Sequence, residues 1–249
     1  MVRTFAAFCV CVGLLSRAED VKSLLPEGKW RLTFQDEFSR ALTNVDAAWE
    51  FQNGSSGHIL CSRWRDNASV SNGVLRLNAK KEARAGQAWT AASLWTKRRF
   101  TYGYFECRYR YAKATATNNS FWIMTTEGSG PEKKDGKFEI DINEGHVPDE
   151  INMNIHNWSG QHWAKSKTLK MAGKLLADEY HLYGLEWSEK ELVWHFDGQE
   201  IRREPNTVCH LPAPVWLSLA IVKWAGPVTD AIAGTSMDVD FVRVYERAE

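Results

Sequence analysis

The stretch Lys137-Phe138-Glu139-Ile140-Asp141-Ile142-Asn143-Glu144-Gly145 sets three carboxylates within six residues of an otherwise apolar, β-branched run. Phe138, Ile140 and Ile142 alternate with Glu139, Asp141 and Asn143, the period of a half-buried strand with one apolar and one polar face. Glu139 and Asp141 therefore share a face. Glu144 has the wrong parity for it unless one extra residue is absorbed at Ile142-Asn143 as a β-bulge, a device common beside active sites. With the bulge, all three acids look one way. Like charges so placed repel, so at least one acid is expected to hold its proton near neutral pH, with coupled titrations. An acid beside a carboxylate is the pair that glycoside hydrolysis needs: one protonates the leaving oxygen, the other attacks or activates water.

The outer two glutamates stand roughly 13 Å apart along the backbone at about 3.3 Å per residue. Only a hollowed sheet, with both side chains leaning inward over Asp141, brings their carboxyls to the roughly 5–5.5 Å of a retaining glycosidase. The same acids could instead form a solvated, aggregation-resistant edge or ligate Ca²⁺.

The elements that must supply this sheet read as short strands separated by turns. Strand patterns fall at 30–34, 74–78, 100–111, 118–126, 137–144, 151–157, 180–187, 192–196, 199–203, 215–222 and 236–245, judged by alternation and β-branched or aromatic content. Ser71-Asn72-Gly73 and Asp197-Gly198 are turns. Only 165–177 offers a weak helical pattern. Many even strands over this length predict one all-β domain, a sandwich or jelly roll of two curved antiparallel sheets.

Residues 1–18 have a basic start, an apolar run over 4–15 and small residues at Ser16 and Ala18. This predicts a secretory signal peptide, an exported chain of residues 19–249 in the periplasm or outside the cell, and no membrane span. Of the five cysteines, Cys9 and Cys11 leave with the signal, and Cys61, Cys107 and Cys209 remain. They are expected to pack as small apolar groups rather than to form a disulfide scaffold. Lys and Arg total 31, as do Asp and Glu, and the absence of a basic run argues against nucleic acid as a partner. Tryptophan is abundant, with 12 in the chain. Trp64, Trp89, Trp95, Trp122, Trp158, Trp163 and Trp224 lie in polar stretches and could stack on sugar rings, with core packing as the alternative for each. Trp187 and Trp194 are expected in the core.

Several stretches together resemble family 16 of the glycoside hydrolases, the laminarinase, agarase, carrageenase and endo-β-galactosidase group built on a concanavalin-type β-jelly roll. They are Phe34-Gln35-Asp36-Glu37-Phe38, Tyr102-Gly103-Tyr104-Phe105-Glu106-Cys107-Arg108, Ser120-Phe121-Trp122, the acidic motif, Tyr180-His181-Leu182-Tyr183-Gly184-Leu185-Glu186-Trp187, Asp197-Gly198 and 237–245, in family order. The resemblance implies that Glu139 is the nucleophile, Glu144 the acid and then base, and Asp141 the group that tunes Glu139. It places Trp122 beside the cleaved bond and makes Glu106 and Arg108 residues that line or buttress the cleft. His156 would contact sugar, unless it is a satisfied core histidine, and Trp64 and Trp158 join the expected substrate-binding set. No catalytic cofactor is implied. A structural Ca²⁺ on the convex side would take Glu37 and Asp240.

Two departures bear on substrate. The laminarinases commonly have a Trp-Pro element and a Gly directly before the motif and a Met in the bulge, whereas this chain has Lys134-Asp135-Gly136-Lys137-Phe138 and Asn143. Together with Asn119-Ser120-Phe121-Trp122 and Asn154-Ile155-His156, this points toward galactans of agar, porphyran, carrageenan or poly-N-acetyllactosamine type. Arg63, Arg65, Arg98 and Arg99 are candidate partners for sulfate. The expectation is a monomeric, secreted, retaining endo-β-glycosidase acting on such a glycan. The alternatives are a β-1,3(4)-glucanase, a transglycosylase and a non-catalytic carbohydrate-binding protein.

Overall fold

The structure, a computed structural model, describes residues 21–125 and 136–249. Its strands in chain order are β1 (Trp30–Asp36), β2 (Trp49–Phe51), β3 (Gly54–Ser55), β4 (Cys61–Arg63), β5 (Ala68–Ser71) and β6 (Val74–Asn78). There follow β7 (Trp89–Ala91), β8 (Ser93–Thr96), β9 (Gly103–Arg110), β10 (Thr117–Met124), β11 (Phe138–His146) and β12 (Glu150–Asn157). The last are β13 (Trp163–Lys170), β14 (His181–Trp187), β15 (Glu191–Phe196), β16 (Gln199–Pro205), β17 (Val215–Ile221) and β18 (Ser236–Arg247).

Two antiparallel sheets stack face to face, as the alternation predicts. The cleft sheet runs β13-β12-β11-β10-β17-β8-β2, and the outer sheet runs β16-β15-β14-β9-β18-β6-β5 with β1 on β18. A small third sheet, β3-β4-β7, completes the fold. Phe138 and Ile140 of β11 turn their side chains into the space between the sheets, and Phe138 meets Trp187 of β14 edge to face at 5.5 Å. Trp49, Trp187, Trp194, Phe105 and Phe121 are all buried in this core, each contributing roughly 1.5–3 kcal/mol relative to an exposed side chain. Trp89 belongs here too, so its expected place in a sugar cleft is corrected. Cys61, Cys107 and Cys209 are free and buried, in line with the expectation.

Backbone demands account for several quoted motifs. Buried Asp36 accepts hydrogen bonds from the Phe38 amide at 3.0 Å and the Trp49 indole at 2.9 Å, holding Phe38 at a φ of 43°. Gly103 has a φ of +129°, and a Cβ there would lie 2.3 Å from the Tyr245 carbonyl oxygen, so only glycine fits. Asp197 and Gly198 both have positive φ, the turn that a two-residue hairpin requires.

Residues 165–177 do not form the expected helix. Residues up to Lys170 belong to β13, an edge strand paired along the whole of β12. The open edge of β12 offers a ladder of backbone hydrogen bonds that outweighs a weak helical pattern, and the lysines of β13 protect the new edge. Strands β2, β3, β4, β5, β7 and β8 escape detection because two to four residues are too few to show a period. The expected signal peptide with Cys9 and Cys11, residue 126 of the 118–126 strand, and Lys134-Asp135 lie outside the described residues. Among the described residues, no helix is long and apolar enough to cross a membrane.

The outer sheet and its margin hold four of the expected site residues. On β9, Phe105, Cys107 and Tyr109 face the core, so Glu106 and Arg108 point from the opposite face, away from the cleft sheet. Glu106 is buried there, accepting a hydrogen bond from the Tyr245 hydroxyl at 3.4 Å, and Arg108 is ion-paired with Asp240. Glu37 is gripped at both oxygens by Arg243, at 2.7 and 3.0 Å. Each carboxylate expected to serve Ca²⁺ thus already has a guanidinium partner.

Candidate active site

The bulge forms where parity requires it. On the β12 side Asp141 pairs with Asn154 but Glu144 with Asn152; on the β10 side Trp122 pairs with Asp141 but Phe121 with Asn143. One extra residue is absorbed at Ile142-Asn143. Glu139, Asp141 and Glu144 consequently share the exposed face of the cleft sheet. The distortion is fastened from beneath. Asn143 is fully buried and donates to the Tyr109 and Tyr111 hydroxyls at 2.6 and 2.7 Å. The Trp194 indole of β15 donates to the Asp141 carbonyl at 2.9 Å. Gly145 makes room for the Tyr111 ring, which a Cβ would meet at 2.2 Å.

Above the sheet, amides and an indole orient the acids. The Asn154 amide nitrogen donates to Asp141 Oδ2 at 2.8 Å and to Glu144 Oε2 at 3.0 Å, tying the two together. Asn118 donates to Glu144 Oε1 at 2.6 Å. Glu139 Oε2 receives the Trp158 indole N–H at 2.8 Å, and His156 Nε2 lies 3.5 Å from Asp141 Oδ2. Asp141 is buried, and burial, reinforced by the Glu144 charge, holds its carboxyl well above the usual range. Burial and then the Asp141 charge push Glu139 up to about 8, against the opposing pull of His156 and the Trp158 hydrogen bond. The pair retains a proton near neutral pH. Asp141 is the deeper of the two and Glu139 is half-buried.

Asp141→Asn removes the second cause of the raised Glu139 value. The acidic limb of the pH profile of kcat/KM, which reports the free enzyme, is expected to move to lower pH. An unmoved limb would dissociate Asp141 from Glu139.

Flat rings flank the acids on both sides. Toward β12 and β13, His156, Trp158 and His162 stack, with Trp158 5.3 Å from His156 and 4.0 Å from His162 and planes within 12°. Across β10, Trp122 stacks on Trp216 at 4.7 Å, and Trp216 on Trp95 at 4.5 Å. This second stack borders a cavity of about 780 Å³. Of the expected site residues, Trp122, His156 and Trp158 thus join the acids. Trp64 does not: it lies under the Arg84 guanidinium at 3.7 Å and donates to Ser62. Trp224 sits exposed in a short 3-10 turn.

Asn118, His162 and Trp216 were not singled out by sequence, and Asn154 entered only as part of the Asn154-Ile155-His156 stretch, with no role at the acids. Asn154 could have been found from its parity with His156 on one strand, and Asn118 from its parity with Trp122. Among the described residues, one group of side chains could hold a metal ion, Glu139, Asp141 and His156, whose ligand atoms lie within 4.8 Å of one another. These are the residues of the acid site itself.

Paired carboxylates between flat aromatic walls are the arrangement of glycosidases. Residues 57–243 match the model of "Glycosyl hydrolases family 16", and the chain belongs to that family. It is 32% identical over 189 residues to the endo-1,3-1,4-beta-glycanase EglC of Rhizobium meliloti (strain 1021), covering 71% of this chain and 39% of that protein. Over 276 residues it is 26% identical to a beta-glucanase of Rhodothermus marinus, covering 100% of this chain and 96% of the relative. The solved laminarinase from Rhodothermus marinus superposes with a TM-score of 0.77 at 28% identity, over 89% of this chain and 99% of that one.

Proposed function

We propose that the protein is an endo-acting glycosidase that hydrolyses internal linkages of β-1,3(4)-glucans with retention of configuration. The observation that carries this reading is the bulged strand β11, which aims Glu139, Asp141 and Glu144 into one cleft. Glu144 donates its proton to the glycosidic oxygen while Glu139 attacks the anomeric carbon, breaking the bond and forming a glycosyl-enzyme ester. Glu144, now a carboxylate, takes a proton from water, which attacks the same carbon and restores Glu139. Asp141 orients Glu139. The complete triad favours catalysis over a non-catalytic binding role on the same fold.

The substrate class differs from the galactan expectation. That expectation leaned on Asn143, but the Asn143 side chain points into the core and bonds two tyrosines, where no sugar reaches. Arg65 and Arg98, offered as sulfate partners, are ion-paired with Asp46 and Glu246. The β-glucan names of the relatives support the glucan reading. On this reading residues 1–18 are a cleaved signal peptide and the monomeric enzyme meets its polysaccharide outside the cytoplasm.

A product screen tests the proposal. Purified protein, with Glu139→Gln as control, is incubated with laminarin, mixed-linkage glucan, agarose, porphyran and carrageenan. Oligosaccharides of several lengths are expected from the two glucans and none from the control. Products from a galactan alone would replace the substrate class, and silence on all with retained binding would favour the binding-protein reading.

A further inference from the structure

We propose that the flank of the cleft beside Trp122 and Trp216 is a subsite for a sugar residue bearing an anionic group, a carboxylate or a sulfate ester, gripped by Arg63 and Arg99. The proposal rests on the glucanase reading and refines its substrate: a β-glucan chain with acidic substituents.

The cavity of about 780 Å³ falls within the roughly 300–1,000 Å³ of small-ligand sites. Arg63, Lys97 and Arg99 line it, against a single acid, Glu50, whose Oε2 already accepts the Trp95 indole N–H at 3.0 Å. Lys97 is tied by its Nζ to the Asp46 carbonyl at 2.6 Å. Arg63 is the unusual member. Its side chain is only 9% exposed, yet among the described residues no carboxylate lies within ion-pair distance. Its hydrogen bonds are long: 3.4 Å to the Leu219 carbonyl and 3.3 Å to Gln52 Oε1.

A guanidinium has five N–H donors in a planar fork, and most of those on Arg63 have no protein acceptor here. Burying a cation without a counter-ion is costly, and the cost is recovered when an anion enters beside it. Burial does pull the Arg63 pKa below its ordinary value. Arg99, exposed on the same cavity wall, makes no ion pair among the described residues. His58, also in the lining, is held toward its neutral form by burial, so it adds little charge at neutral pH.

The aromatic wall fits the same ligand. Trp216 has a ring on either side, Trp122 and Trp95, so a β-glucosyl ring meets this wall along the indole edges, with its primary hydroxyl at its own rim. A carboxylate or sulfate at that carbon lies at the sugar's rim, within the cavity that Arg63 and Arg99 line.

The test compares three laminari-oligosaccharide preparations: neutral, oxidised at C6 to uronates, and O-sulfated. The quantity read is kcat/KM for each acidic form divided by that for the neutral form, in wild type, Arg99→Gln and Arg63→Gln. The wild-type ratio is expected above one for at least one acidic form. It should fall about tenfold in Arg99→Gln, the scale of a lost charged hydrogen bond, and fall with added salt. The larger ratio tells carboxylate from sulfate. A wild-type ratio at or below one for both forms, or a ratio unchanged by Arg99→Gln, overturns the proposal. Arg99 is at the surface, so the test survives if Arg63→Gln fails to fold. If wild type cleaves none of the three, the glucanase reading has failed, and calorimetric affinities of the same preparations decide this proposal alone. Tighter acidic binding lost in Arg99→Gln upholds it, and equal binding overturns it.

Discussion

Glu139→Gln is expected to lower hydrolysis at least about 10⁴-fold, the scale seen when a covalent nucleophile is removed from other hydrolases. Binding of intact oligosaccharide should persist, because the Gln carbonyl can still accept the Trp158 indole N–H that Glu139 accepts at 2.8 Å. The same variant should be more stable. Folding raises the Glu139 pKa from the ordinary 4.5 to about 8, so the native state binds the proton more tightly than the unfolded chain does. The wild-type protein therefore loses stability as pH rises through that window, and below it there is no loss. Glutamine removes the titration. Its Tm advantage should be greatest above the window and vanish below pH 4.5, at about 2–4 °C per kcal/mol for a chain of this size. A variant that turns over at more than about a hundredth of the wild-type rate would remove Glu139 from the nucleophile's role.

Glu144→Gln is the second large effect and differs in kind. With a natural glucan, loss of the proton donor should cost about 10²–10⁴-fold. An aryl β-glucoside with a strongly acidic leaving group needs no proton in the first step, so its glycosylation should be nearly spared. Deglycosylation should then limit, and an added anion such as azide should restore turnover by attacking the glycosyl-enzyme without a base. Equal slowing of both substrates, with no rescue, would contradict the acid/base role. Asn118 and Asn154, which hold both Glu144 oxygens, explain why this carboxylate is fixed for a task that alternates donor and acceptor.

The acid strand was the most legible part of the sequence. Parity alone demanded one extra residue before Glu144, and the structure has it at Ile142-Asn143. The sandwich was legible for a similar reason: long strands with one covered face show their period. Glu106 and Arg108 misled because both faces of β9 are covered. Tyr104 and Glu106 are buried on the outer side much as Phe105 and Cys107 are on the inner, so alternation gives no sign that β9 lies in the sheet away from the cleft. Trp216 was hidden in the same way, inside a strand that reads as continuously apolar. Asn143 entered the substrate reading only as a departure from the Met of laminarinases, and its task here is to fasten the bulge to Tyr109 and Tyr111. β13 was misread because its strand character comes from its neighbour β12, which no local pattern records.

The central claim is that Glu139 and Glu144 work as a retaining pair. The most direct measurement is ¹H NMR of the anomeric protons during the first minutes of laminari-oligosaccharide hydrolysis, before mutarotation mixes the anomers. The account predicts the β-anomer of the new reducing end first, with the α-anomer growing in slowly. Initial appearance of the α-anomer would mean single displacement by water, and would contradict a glycosyl-enzyme on Glu139.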